Sequence, residues 1–199
     1  MTQRNQSPRI AHLTPPYTND VELALSAMMP KNSPVEPLKM FRIFAKDPPL
    51  GAAVRGLGGF LLSGRPQGGA AFDLRTRELV IDRVTARCGC EYEWGVHITS
   101  YAEKAGLSQD QIYSTVHGSG ADDCWSGKDR AVMDMADELH DGAQVSDETY
   151  AALASYFDET QLIELFVLAG WYHSISYLAN GARVEYEDWA ARFPEKREA

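Results

Sequence analysis

The sequence contains no Lys/Arg cluster, no alternating strand pattern of useful length, no internal repeat and no low-complexity tract. The missing alternation argues against a sheet. There are 28 acidic and 19 basic residues, a formal charge of -9. That balance disfavours a nucleic-acid or anionic-membrane surface as partner. The first twenty residues are polar and proline-containing, so no secretory signal is expected. The longest uninterrupted apolar run, Phe166 to Tyr172, is too short to cross a bilayer. Three cysteines, two separated by one residue, cannot make a disulfide framework. A reducing cytoplasm is therefore the expected compartment.

What the chain does have is helical punctuation. Prolines 8, 15 and 16 mark an extended arm over 1–19. Short helices are expected over 20–29, 37–46 and 49–62, and a Gly/Pro-rich loop over 64–70. Asp73 suits the N-cap of a helix over 74–87, which Gly89 breaks. Further helices are expected over 90–105, from Ser108 to 117, over 127–140, 147–157 and 159–179, before a charged tail from Arg183. Trp189 and Phe193 are the tail's candidate packing anchors. The expectation is an all-α, single-domain helical bundle with an N-terminal arm. It divides into arm and short helices (1–50), a helical domain (51–181) and a tail (182–199).

The chemistry concentrates between Arg77 and His97. Leu74, Glu78, Ile81, Thr85 and Cys88 fall at steps of four, three, four and three, so Glu78 lies in line with apolar positions. A carboxylate there is either a general acid or base whose pKa burial raises, or an edge residue bonded to Arg75 or Arg77. On the next helix Cys90, Glu93 and His97 stand at i, i+3 and i+7, on one face. Cys90 in a first turn would have its thiolate favoured by the helix dipole. Glu93, four before His97, would orient the imidazole but oppose the thiolate. The plain alternative for Cys90 is a small buried apolar residue.

Glu93 and His97 with Cys88 or Cys90 could bind zinc, but no second ligand pair stands at ligand spacing, so neither metal nor cofactor is expected. His117 and His140 precede glycines at helix ends, where a cation suits the dipole. His173, mid-helix, reads as a core histidine bonded to a carbonyl, with pocket lining as the alternative. Cys124 reads as structural.

The stretch Arg75-Thr76-Arg77-Glu78-Leu79-Val80, then Gly89-Cys90-Glu91-Tyr92-Glu93-Trp94, His97, and Ala105-Gly106-Leu107-Ser108, resembles the carboxymuconolactone decarboxylase family. That superfamily includes the alkylhydroperoxidase D proteins. The resemblance implies their all-α fold and a homo-oligomer, trimer or hexamer. By position, Glu78, Cys90 and His97 match the Glu, first Cys and His of the peroxidase members. Glu93 occupies the place of their peroxide-attacking cysteine, so their dithiol cycle is not expected here.

Two enzymatic readings follow. In the first, Glu78, Glu93 and His97 perform acid/base chemistry, proton transfer or decarboxylation, on a small organic acid or lactone, with Tyr92 and Trp94 binding it and Cys90 lining the pocket. In the second, Cys90 and His97 make a thiol-dependent peroxidase, with Cys88 or an external thiol resolving it. A third reading is a non-catalytic oligomeric binding protein.

Overall fold

The computed structural model describes residues 7–29 and 36–198. Among these are nine α-helices and no strand: α1 (Asn19–Met28), α2 (Lys39–Phe44), α3 (Pro48–Leu62), α4 (Leu74–Arg87), α5 (Glu91–Tyr101), α6 (Gln109–His117), α7 (Gly127–Gly142), α8 (Asp147–Ala154) and α9 (Glu159–Ala182). The parts of the expected arm and of the 1–50 segment that fall on 1–6 and 30–35 lie outside the described residues. The expected boundary at 50/51 falls within the first turn of α3.

Capping explains most of the helix starts. Asp47, Asp73, Ser108, Ser146 and Asp158 each accept a backbone N–H of the following first turn. Ser108 with Gln111, and Asp158 with Gln161, form reciprocal capping boxes. The α4–α5 junction turns on Gly89, at φ +61°, where a side chain would be strained. There the Gly89 N–H donates to Ala86 O at 2.9 Å and the Cys90 N–H to Thr85 O at 2.8 Å, closing α4 with two nested hydrogen bonds. This turn places Cys90 at the N-cap of α5, one step before the expected first turn. Helix α5 also ends at Tyr101, short of the expected Ala105, because 102–106 folds into a turn closed by Gly106 at φ +67°.

Helix α4 is the central element and packs against α5, α6, α7 and α9. Its residues from Glu78 to Thr85 are all buried, although the segment is rich in charge. The arginines along the helix are tolerated because they are paired. Arg75 bonds Asp129 at 2.7 and 2.9 Å. Arg83 grips Asp137 with two bonds of 2.6 and 2.7 Å and also donates to Thr115 O. Arg87 bonds Asp141. All three pairs span 54 residues. A constant offset in the same sense means that α4 and α7 run parallel and in register. No spacing within either helix reveals that ladder.

Helix α9 is long and apolar enough to cross a membrane by length and composition. Half of that stretch is buried against the rest of the fold, and α9 is a core helix here. Leu162, Leu165, Leu168, Ala169 and Tyr172 join Leu79, Val80, Ile81 and Val84 of α4 in the main hydrophobic core.

The tail is anchored on α5. Gly95 is required there, since a Cβ would meet Ala191 O at 2.1 Å. Phe193 packs edge-on against Trp94 at 5.1 Å, as an anchor should, and Trp189 is 41% exposed, with part of its ring on the wall of a cavity. At the other end, Arg9 and Ile10 of the arm donate to Ala182 O at the end of α9.

Candidate active site

The site forms where the buried faces of α4, α5 and α9 meet. Glu78 comes from α4, Glu93, His97 and Tyr101 from α5, and Tyr172 from α9. The His97 Nδ1 lies 2.7 Å from Glu78 Oε2, and its Nε2 lies 3.0 Å from the Tyr172 hydroxyl. Glu93 Oε1 is farther from Nε2, at 3.5 Å. The orienting carboxylate is therefore Glu78 rather than the expected Glu93. Glu78 has no exposure, and its other oxygen accepts from Arg77 Nε at 2.6 Å. The Arg77 guanidinium in turn sits 5.2 Å over the Tyr101 ring.

These contacts fix the charges. Burial raises the Glu78 carboxyl, but the His97 and Arg77 charges and hydrogen bonds outweigh it and hold the group below its ordinary value. Burial alone, the basis for expecting a raised Glu78, omits both cationic partners. Burial likewise pulls His97 down, yet Glu78 and then Glu93 overcome it and hold the imidazole well above its ordinary value. Both shifts favour a carboxylate–imidazolium pair. Burial, followed by the charges of Glu93 and Glu78, pushes the Tyr172 phenol well up, so it stays protonated.

A cavity of about 450 Å³ opens onto this group. Glu93, His97, Tyr101 and Tyr172 supply its polar wall. Met40, Phe41 and Phe44 of α2, with Trp171 and Ile175 of α9, supply apolar walls, and Arg55 of α3 contributes a cation. The volume and the few convergent polar groups suit a small molecule.

The other expected site residues stand apart from that cavity. Cys90 is fully buried and does not line it. Burial, reinforced by the Glu93 charge, pushes its thiol up to about 12. The thiolate expectation took the N-terminal dipole as dominant. At the N-cap of α5, desolvation dominates instead. The Tyr92 hydroxyl donates to Glu187 Oε1 at 2.7 Å and accepts from the Met40 N–H at 3.1 Å, tying α5 to α2 and the tail. The Trp94 indole donates to Thr115 Oγ1 at 3.1 Å. Both rings are buried away from the cavity, so neither reaches a molecule inside it.

Two site residues had only weak sequence signals. Tyr172 stands in an apolar helix, where its hydroxyl gives no periodic sign of its partner. Asp82, one turn beyond Glu78, is almost fully buried, and neither carboxyl oxygen has a hydrogen-bond partner among the described residues. Burial and the Glu78 charge push Asp82 well above the ordinary carboxylate range.

A second cluster lies where the C-cap of α4 meets α7 and α9. His140 Nδ1 is 3.0 Å from His173 Nε2 and 3.8 Å from Cys88 Sγ. The His173 Nδ1 donates to Ala169 O at 3.0 Å, the carbonyl bond expected of it.

Residues 48–138 match the model of the carboxymuconolactone decarboxylase family, a wider span than the motif stretch alone. An uncharacterised Bacillus subtilis protein, YdfG, is 30% identical over 95 residues, which cover 47% of this chain and 63% of YdfG. The chain therefore aligns with somewhat less than two thirds of that curated relative's length. Among solved structures, a peroxidase-related protein from Silicibacter superposes with a TM-score of 0.75 at 13% identity, over 98% of this chain and all of that one. A cysteine-to-alanine variant of the debrominase Bmp8, bound to 2,3,4-tribromopyrrole, gives 0.68 at 15% identity over 90% and 91% of the two chains. An Agrobacterium tumefaciens protein of unknown function, provisionally assigned to AhpD-type antioxidant defence, gives 0.62 at 19% identity over 72% and 95%. At these identities the superpositions establish a shared fold.

Proposed function

Because the chain belongs to the carboxymuconolactone decarboxylase family through residues 48–138, and because its buried histidine faces a cavity that its nearest cysteine does not reach, we propose that it is an acid/base enzyme. The substrate class is a small organic acid or lactone, and the reaction is proton transfer or decarboxylation. The observation that carries this reading is His97, placed on the cavity wall with Glu78 bonded behind it.

Glu78 is a positioning residue, since it does not line the cavity. It keeps His97 protonated with Nε2–H directed at Tyr172. In a decarboxylation the bond to the carboxylate carbon breaks, CO2 leaves, and the electron pair stays on the substrate carbon. The Tyr172 hydroxyl then delivers a proton to that carbon as it takes one from His97 Nε2. Solvent restores the imidazolium. Glu93, also on the wall, is placed to accept a proton when the reaction begins with its removal from carbon. Arg55 supplies a counter-charge for a carboxylate, while α2 and α9 cover the apolar part of the molecule.

The thiol-peroxidase reading draws support from the descriptions of two fold neighbours. The burial of Cys90 and its raised pKa weigh against it. The proposal includes a homo-oligomer in a reducing cytoplasm. Exposed Leu50 and Leu57 on α3, and Ile163 and Val167 on α9, support the first part. Three free thiols support the second.

The test is a panel of β-keto acids and lactone carboxylates incubated in D2O, following CO2 release and deuterium incorporation at carbon. His97→Ala should lower turnover by about 10²–10⁴-fold, and Tyr172→Phe should also lower it. Cys90→Ser should retain it. Turnover abolished by Cys90→Ser and spared by His97→Ala would refute the reading.

A further inference from the structure

We propose that Cys88, His140 and His173 form a binding site for a zinc-class divalent cation, separate from the His97 cavity. The three side chains come from three elements: the C-cap of α4, the last turn of α7, and the middle of α9. Their ligand atoms all lie within 4.8 Å of one another. The nitrogen pair is 3.0 Å apart and the nearer nitrogen–sulfur distance is 3.8 Å. A tetrahedral ion with Zn–N near 2.0–2.1 Å and Zn–S near 2.3 Å needs ligand separations of roughly 3.3–3.6 Å. Shifts of a few tenths of an ångström bring these two separations to that geometry, and the third pair already lies within 4.8 Å.

The groups that orient two of these residues are already in place. His173 Nδ1–H is bonded to Ala169 O, so its Nε2 presents a lone pair to the cluster. That carbonyl bond fixes the tautomer a metal-ligating histidine requires. The Cys88 carbonyl accepts from Asn180 Nδ2 at 2.9 Å, which steadies the residue that carries the sulfur. In a neutral His140, a proton on Nδ1 serves His173 and leaves the thiol without a strong acceptor. A proton on Nε2 serves the thiol and sets two nitrogen lone pairs face to face at 3.0 Å. A cation satisfies all three donor atoms at once.

All three residues are half-buried, leaving an open side for a water or a fourth ligand. None of them lines the His97 cavity. Binding releases one proton from Cys88 Sγ to solvent, and His140 carries its remaining proton on Nε2. The softness of the thiolate–imidazole set favours zinc over magnesium or calcium.

The experiment titrates the full-length, chelator-treated protein with Co(II) and then with Zn(II). One equivalent of Co(II) should bind, with a sulfur-to-cobalt charge-transfer band that Zn(II) removes. Cys88→Ser should abolish the band, and His173→Ala should weaken affinity at least about tenfold. Cys90→Ser should retain both. No stoichiometric binding, or a band that survives in Cys88→Ser, would overturn the proposal. Should Cys88→Ser fail to fold by circular dichroism, the wild-type protein decides. Zn(II) should block alkylation of Cys88 as read by mass spectrometry, and equal labelling with and without Zn(II) would overturn the site.

Discussion

His97 Nδ1 lies 2.7 Å from Glu78 Oε2, an ion pair that joins the two central helices α4 and α5 at the wall of the cavity. Both residues are essentially out of water, and Arg77 shares the carboxylate. Desolvation of such a pair offsets much of its attraction, but removing one partner strands the other.

Glu78→Gln therefore destabilises the protein by about 3 kcal/mol at pH 6. The signs of the two shifts give the pH dependence. Glu78, lowered in the fold, contributes stability above its unfolded value of about 4.3, lost as pH falls through the folded value. His97, raised in the fold, contributes below its unfolded value of about 6.5, lost as pH rises through the folded value. Denaturant unfolding across pH should show the wild-type advantage over Glu78→Gln to be greatest between about pH 4.5 and 6.5, shrinking on either side.

Asp82 works in the opposite sense from Glu78. Its carboxyl is raised in the fold, so stability falls as pH climbs above the unfolded value of about 3.9. Asp82→Asn removes that dependence. Thermal melts should find the variant gaining on the wild type between pH 4 and pH 8, and a constant difference would contradict a raised Asp82 carboxyl.

The α4–α7 ladder is unequal along its length. Arg83 is buried and grips both oxygens of Asp137, whereas Arg87 meets Asp141 at the surface. A lysine cannot reproduce the two-pronged bond. Arg83→Lys is expected to cost about 2–3 kcal/mol, by the loss of charge-assisted hydrogen bonds. Arg87→Lys is expected to stay within about 0.5 kcal/mol. Urea unfolding of the two variants checks the contrast.

Cys90 should behave as a packing residue. With its thiol pushed up to about 12 and no exposure, iodoacetamide at pH 8 should leave it unmodified in the native protein. Labelling should appear only in denaturant, as read by peptide mass spectrometry.

The helices were legible because their ends are local. Asp73, Ser108 and Gly89 announce caps and breaks from a few neighbouring residues. Glu78, Glu93 and His97 were legible because helical period places them, and the structure brings them to one point. Their roles were not, since the assignment of charge depends on Arg77 and Tyr172. Arg77 is adjacent to Glu78 in sequence, but its choice of that neighbour depends on the fold. Tyr172 stands 75 residues from His97, and no local spacing connects them. Tyr92 and Trp94 looked like ligand-binding aromatics because aromatic rings beside a motif suggest a pocket. Their polar tips instead bond Glu187 and Thr115, partners set by the tail and α6. The Cys88–His140–His173 cluster was invisible for the same reason, with each residue on a different helix.

The most direct measurement is an NMR titration of the His97 imidazole in the wild type and in Glu78→Gln. The ion-pair account predicts that wild-type His97 stays protonated well past pH 6.5, the ordinary histidine value of about 6.5, and that Glu78→Gln loses its proton at distinctly lower pH. A wild-type His97 that titrates at or below that ordinary value, unmoved by Glu78→Gln, would contradict it.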